Sequence, residues 1–338
     1  MLFVIASLVI AISGFQVPTG SAGQTAAAAK NSALTAHEMS EIQTGAAKGD
    51  PLAELRLARA YSVGDGVTKS AETALEWYRK AADGGNAEAQ DAMGIIYMTG
   101  DGVVRDKALA VTWYRKAARQ GYAGAMYSLG IAYYNGDGVP VDDASAFAWF
   151  TLAKEADDPN AAKALENTAG DRKPWTEADG YKHIAELYGP GGLLGANPTS
   201  AARWWLLSAQ GGDTEAQVMT ADNFLNGHGV PQDLAAGRHW CEEAAKVQDF
   251  RSFYCLGEIY RRGLGVKPNY TLARSWYERS ARSPKWTPQV RAASAIWKAP
   301  ASGMHRWWSA SEIRATRSGS LRSKARFRRN DGKKSKSN

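Results

Sequence analysis

The chain has 338 residues, 44% of them apolar, the make-up of a folded protein and enough length for two ordinary domains or one repeat array. Its formal charge of +7 is unevenly placed: residues 306–338 alone carry a net +9, and residues 1–305 carry −2. A nucleic-acid footprint across the main body is therefore unsupported, and no nucleic-acid partner is expected.

The first segment, MLFVIASLVIAISGF, is an apolar run too short to span a bilayer comfortably. Small residues follow it, with Gly20 and Ala22 at the positions a signal peptidase reads. Residues 1–22 are expected to be an export signal, or an uncleaved anchor because no Lys or Arg precedes the run, with 23–34 as linker. An exported protein, periplasmic or secreted, is the expectation.

A helix is predicted over 35–48, opened by Thr35 and Glu38 at capping-box spacing. Its Ala46 and Gly49 fall in register with Ala82 and Gly85 further on, so it reads as a lone second helix capping the array that begins at Ala53.

That array is built on a repeat. Gly-Asp-Gly-Val occurs at Gly64, Gly100 and Gly136, 36 residues apart each time. Around it run columns of alanine (Ala53, Ala89, Ala125), tyrosine (Tyr61, Tyr97, Tyr133) and tryptophan (Trp77, Trp113, Trp149). The same spacing resumes at Gly180, Ala216 and Ser252, where Trp204, Trp240 and Trp276 continue the column. The period defines six units, 53–88, 89–124, 125–160, 180–215, 216–251 and 252–287, with an insertion at 161–179. Each unit holds two amphipathic helices whose stripes only stacking can bury. A calcium loop would alternate several carboxylates, and a phosphate loop would carry Gly-Lys-Ser/Thr entering a helix; the repeated tetrapeptide does neither and reads as a turn.

The combined pattern, with LARAYSVGDGVTKSAETALEWYRKAADGG in the first unit and GEIYRRGLGVKPNYTLARSWYERSA in the sixth, resembles the Sel-like repeat, a relative of the tetratricopeptide repeat. The resemblance implies an all-α fold, a right-handed α-solenoid of stacked antiparallel helix pairs with helical caps. It further implies a non-catalytic scaffold or regulator, of the cell envelope in bacterial members, that holds a protein or peptide in its concave groove. The expected organisation is 35–160 for the cap and repeats 1–3, 161–179 for a helical insertion that bends the array, and 180–300 for repeats 4–6 and a last helix over Gln289–Lys298. Residues 301–338 form a basic tail that could hold an anionic envelope surface.

By analogy with tetratricopeptide proteins, positions 55, 59 and 62 of the first unit and their equivalents would line the groove. In units two and three they place Ile95, Met98, Tyr127, Ile131 and Tyr134 together as an apolar, aromatic strip, the candidate partner site. The bland alternative is that these side chains are core, covered by neighbouring helices or by the insertion. Later units turn acidic at the same positions (Glu186, Asp222, Glu258).

Cys241 and Cys255 are the only cysteines; the favoured reading is two small buried apolar residues, with a disulfide as the alternative. His228, His239 and Cys241 form the one cluster with any metal character, and it lacks a fourth ligand, so no metal and no cofactor are expected. No lysine follows a serine at the Ser-x-x-Lys spacing of lactam chemistry. A non-enzyme is therefore expected; the alternatives are an envelope hydrolase of the amide or β-lactam type and a carbohydrate-binding module using exposed tryptophans.

Overall fold

Where each helix starts and stops is set by short polar residues and glycines at fixed places. The computed structural model describes residues 34–169 and 177–282, and all regular structure in them is α-helix. Helix α1 (Ala36–Ala47) opens with the capping box of Thr35 and Glu38 in full. Three helix pairs come after it: α2 (Pro51–Val63) with α3 (Ala71–Asp83), α4 (Ala87–Thr99) with α5 (Lys107–Arg119), and α6 (Ala123–Asn135) with α7 (Asp143–Glu155). The insertion contributes α8 (Ala161–Ala169). Three more pairs come next: α9 (Glu177–Leu187) with α10 (Pro198–Gln210), α11 (Thr214–Asn226) with α12 (Leu234–Lys246), and α13 (Phe250–Arg262) with α14 (Tyr270–Ala281). None of the described helices is long and apolar enough to cross a membrane.

The second helix of a unit begins at Ser70, Asp106, Asp142, Asp233 or Asn269, each accepting a hydrogen bond from a first-turn amide through its side chain. The turn before it has a tertiary role as well as a local one. In the third unit Gly136 ends α6 at φ +75°, and Gly138 comes two residues later at φ +74°. A Cβ on Gly138 would run into the Lys107 carbonyl, at the start of the preceding unit's second helix. Between the two glycines, the Asp137 carboxylate accepts from Lys107 Nζ at 2.5 Å. The turn is thus a seat on the hairpin before it. Asp65 makes the equivalent contact toward the cap, accepting from the Leu34 amide at 2.7 Å.

Within a pair, a small residue on the first helix lies under an aromatic on the second. Gly130 faces the Phe150 ring so closely that a Cβ would overlap it. Between pairs, the second helix of one unit packs on the first helix of the next, around fully buried Met93 and Leu129. Arg79 donates to the Tyr97 hydroxyl at 3.2 Å, and Arg115 to Tyr133 at 2.9 Å, repeating one tie across two successive joints. At the next joint Thr151 replaces the arginine, and its buried Oγ1 has no hydrogen-bond partner among the described residues. Lys80 and Lys116 lie over the faces of Trp77 and Trp113, at 3.8 and 3.6 Å from the ring centroids, each on an exposed side chain that keeps its charge in water.

The described chain divides into two compact bodies. The first holds residues 34–169 and 177–188 with 193–195 and 200–216; the second holds 189–192, 196–199 and 217–282. In the first body the helix after the insertion stacks directly on the helix before it. Helix α9 packs on α7 as a first helix packs on the preceding second helix elsewhere. Phe147 meets Tyr181 edge-on at 5.6 Å, and Ser145 Oγ lies 3.1 Å from His183 Nδ1. Helix α8 is accommodated to one side.

In the second body the favoured reading of the cysteines is corrected: Cys241 and Cys255 form a disulfide, with Cα atoms 6.1 Å apart. Cys241 lies where other units carry Tyr78, Tyr114 or Phe150, packed with Ala221 and Ile259, and it bridges α12 to α13. The expected leader, the helix over Gln289–Lys298 and the basic tail lie outside the described residues.

Candidate functional site

The strip is built on the first helices of units two and three. Helix α4 turns Ala89, Met93 and Ile96 into the core, while Ile95 and Met98 stay half-buried on its flank. Helix α6 does the same with Ala125, Met126 and Leu129, and Tyr127, Ile131 and Tyr134 stay half-buried. The last three are brought together against Ala146 and Phe150 of α7 and Ala164 of α8, with Leu165 beside them. The Tyr127 ring lies 5.6 Å from Phe150, tilted by 49°. Ile95 and Met98, on α4, are not part of that cluster.

The columns do not extend as groove into every unit. Leu55, Val218 and Leu225, expected on the same face, are core residues at 1, 2 and 9% exposure. The acidic positions of later units are locally engaged. Asp222 lies 3.5 Å from His228. Glu258 accepts from Arg261 at 2.7 Å and from the Tyr277 hydroxyl; burial works to raise its carboxyl, but these two donors hold it below the usual range. Lys182 pairs with Glu215 at 2.8 Å and Asp213 at 3.6 Å, which keeps its ammonium charged against the cost of burial.

Asp91 is the one carboxylate of the expected groove that goes fully inside, at 4% exposure. Ser128 Oγ approaches it at 3.5 Å, a long contact. Burial, with a further contribution from Asp158, pushes its carboxyl up to about 7 against that one hydrogen bond. Sequence reasoning missed this because the position carries Leu55, Tyr127 and Val218 in other units and so gives no charge pattern to read.

The His228, His239 and Cys241 cluster does not survive as a metal set, since Cys241 is spent in the disulfide. His228 turns to Asp222, and His239 lies edge-on to Trp240 at 5.4 Å. Among the described residues no group of three or more His, Cys, Asp or Glu is placed to share a metal ion.

Comparison with known proteins gives one consistent result. The Sel1 repeat family model matches residues 51–86, 87–122, 123–158, 178–213, 214–249 and 254–284, starting two residues before each of the first five units read from the sequence. An uncharacterized protein of Neisseria meningitidis serogroup B is 31% identical over 103 residues, which is 30% of this chain and 21% of that protein. Among solved structures, a protective antigen of uropathogenic Escherichia coli with an SLR fold is 30% identical, covering 76% of this chain and 50% of that one, at a TM-score of 0.35. A Sel1 repeat protein from Oxalobacter formigenes is also 30% identical, covering 75% of this chain and 93% of that one, at a TM-score of 0.34. The chain thus spans about a fifth of the meningococcal relative and half of the coliform antigen.

Proposed function

This chain belongs to the Sel1 repeat family, and from that premise we propose that it is a non-catalytic scaffold or regulator of the cell envelope that binds a protein or peptide along the strip on α4 and α6. Sel1 repeat proteins generally act as protein-interaction scaffolds, and an α-solenoid suits that work because it offers long helix faces without needing a closed pocket. The observation that carries the reading is the incomplete burial of Ile95, Met98, Tyr127, Ile131 and Tyr134. Their helix neighbours Met93 and Leu129 are sealed at 0%, whereas these five apolar side chains keep contact with water. Aromatic and aliphatic anchors of this kind supply most of the affinity in helix-in-groove and extended-peptide recognition.

Export to the envelope is supported by the apolar start of the sequence and by the Cys241–Cys255 bridge, since disulfides persist in oxidising compartments. The basic residues after Arg306 support an electrostatic contact with an anionic envelope surface, weakening as salt rises.

The test uses the part of the strip on α4. Photo-cross-linking from position 98 in envelope extracts should give discrete protein adducts. Ile95→Asp with Met98→Asp should remove at least nine-tenths of affinity capture of the same proteins while leaving the melting temperature within a few degrees. Undiminished capture by the folded double variant would sink the reading.

A further inference from the structure

Helix α8 is surplus to the stack. The place beside α7 that a following first helix must take is filled by α9, through Phe147 against Tyr181 and through buried Ala178, Ile184 and Ala185. Helix α8 instead lies where Ala146 and Phe150 of α7 meet Tyr127, Ile131 and Tyr134 of α6. Its described contact side is small and aliphatic. Ala161 and Ala164 are buried and Leu165 half-buried, while Ala162, Lys163, Glu166 and Asn167 face water. Spacing of three and four residues between Ala161, Ala164 and Leu165 is that of one helix face. The helix is also well started: Asp158 accepts from the amides of Asn160 and Ala161 at 2.9 and 3.1 Å.

We propose that α8 is a built-in occupant of the binding strip, standing where a partner's short amphipathic helix of small and aliphatic residues would lie. The inference rests on the strip being the binding site, and it adds the partner's class and a mode of control. A partner helix gains access to Tyr127, Ile131 and Tyr134 only by displacing α8. A tethered segment competes at an effective concentration in the millimolar range, so it suppresses weak binders and admits strong ones. Small side chains at the contact let a helix backbone approach the tyrosine rings, and this favours an Ala-rich face over a bulky one. Ile95 and Met98 on α4, half-buried and outside the cluster that α8 joins, would give the same partner a first foothold.

The experiment uses the full chain and one probe, a fluorescent synthetic peptide of residues 158–169, titrated into wild type and into Ala164→Glu with Leu165→Glu. Two glutamates on the docked face should drive α8 off the strip. The peptide should bind the variant at least tenfold more tightly than wild type, and adding Tyr127→Ala and Ile131→Ala should abolish that gain. Equal affinity for both proteins, or no binding by the folded variant, overturns the proposal. Circular dichroism decides the remaining case: the variant should lose no more than one short helix, and cooperative collapse of the first body would make α8 part of the fold and overturn it too. Failure here leaves capture through Ile95 and Met98 intact, so the two readings fail separately.

Discussion

Asp91 shows how a single residue can set the pH response of a helical stack. Its carboxyl, at 4% exposure, has one long hydrogen bond and no cation among the groups that shift it. A carboxyl whose folded pKa lies above its unfolded value holds its proton longer in the folded state. The stability linked to it is complete below the unfolded value near 3.8 and is lost as pH rises through about 7. Asp91→Asn should therefore remove a decline in melting temperature between about pH 4 and 7. At pH 8 it should raise stability by on the order of 1–3 kcal/mol, measured by urea unfolding at several pH values. An unchanged profile would mean that the carboxylate finds a partner in solution. Nothing in the sequence flags this residue, because one acid in a column of varied residues looks like surface. The strip beside it was legible as a helix face, with core as the stated alternative; which units turn that face inward was not, since burial at Leu55 and Val218 depends on neighbours outside their own helices.

At the scale of the helix, pairing depends on a small residue beneath a ring. Gly130 and Phe150 are the clearest case, with Phe150 at 1% exposure and no room for a Cβ between them. Gly130→Ala gains about 1 kcal/mol of helix propensity but forces the ring outward, and crowding of this kind costs about 1–3 kcal/mol. The net should be a lower melting temperature. In a double-mutant cycle Phe150→Leu, costly alone, should cost less in the Gly130→Ala background because the smaller side chain restores the gap. Additive effects would deny the contact. This packing could be read directly from the sequence, since small and aromatic columns repeat at 36-residue spacing and periodic apolar positions identify helix faces without further help. Helix α8 could not. A helical insertion read from the sequence indicates local structure, not which neighbours its helix chooses.

For the whole molecule, the two bodies carry different means of support. The first relies on packed aromatics and on the Arg79–Tyr97 and Arg115–Tyr133 ties. The second replaces the aromatic of its column with Cys241 and joins α12 to α13 covalently. Closing a loop of 14 residues stabilises by roughly 3 kcal/mol in the chain-entropy account. A reductant, or Cys241→Ser with Cys255→Ser, should therefore lower a melting transition of the second body by several degrees and leave the first unchanged. Calorimetry with and without dithiothreitol checks this, and an equal shift of both would show them to melt as one. The bridge was an open alternative in the sequence, because two cysteines 14 apart on helices have no signature until the register places one over the other. The seat beneath the turns gives the array a direction of assembly. Asp137 and Gly138 rest on the start of α5, and Asp65 rests on Leu34, so a hairpin leans on the segment synthesised before it. A chain leaving the ribosome would therefore meet the landing place for such a turn on a segment already made, although its second helix still awaits the unit that follows.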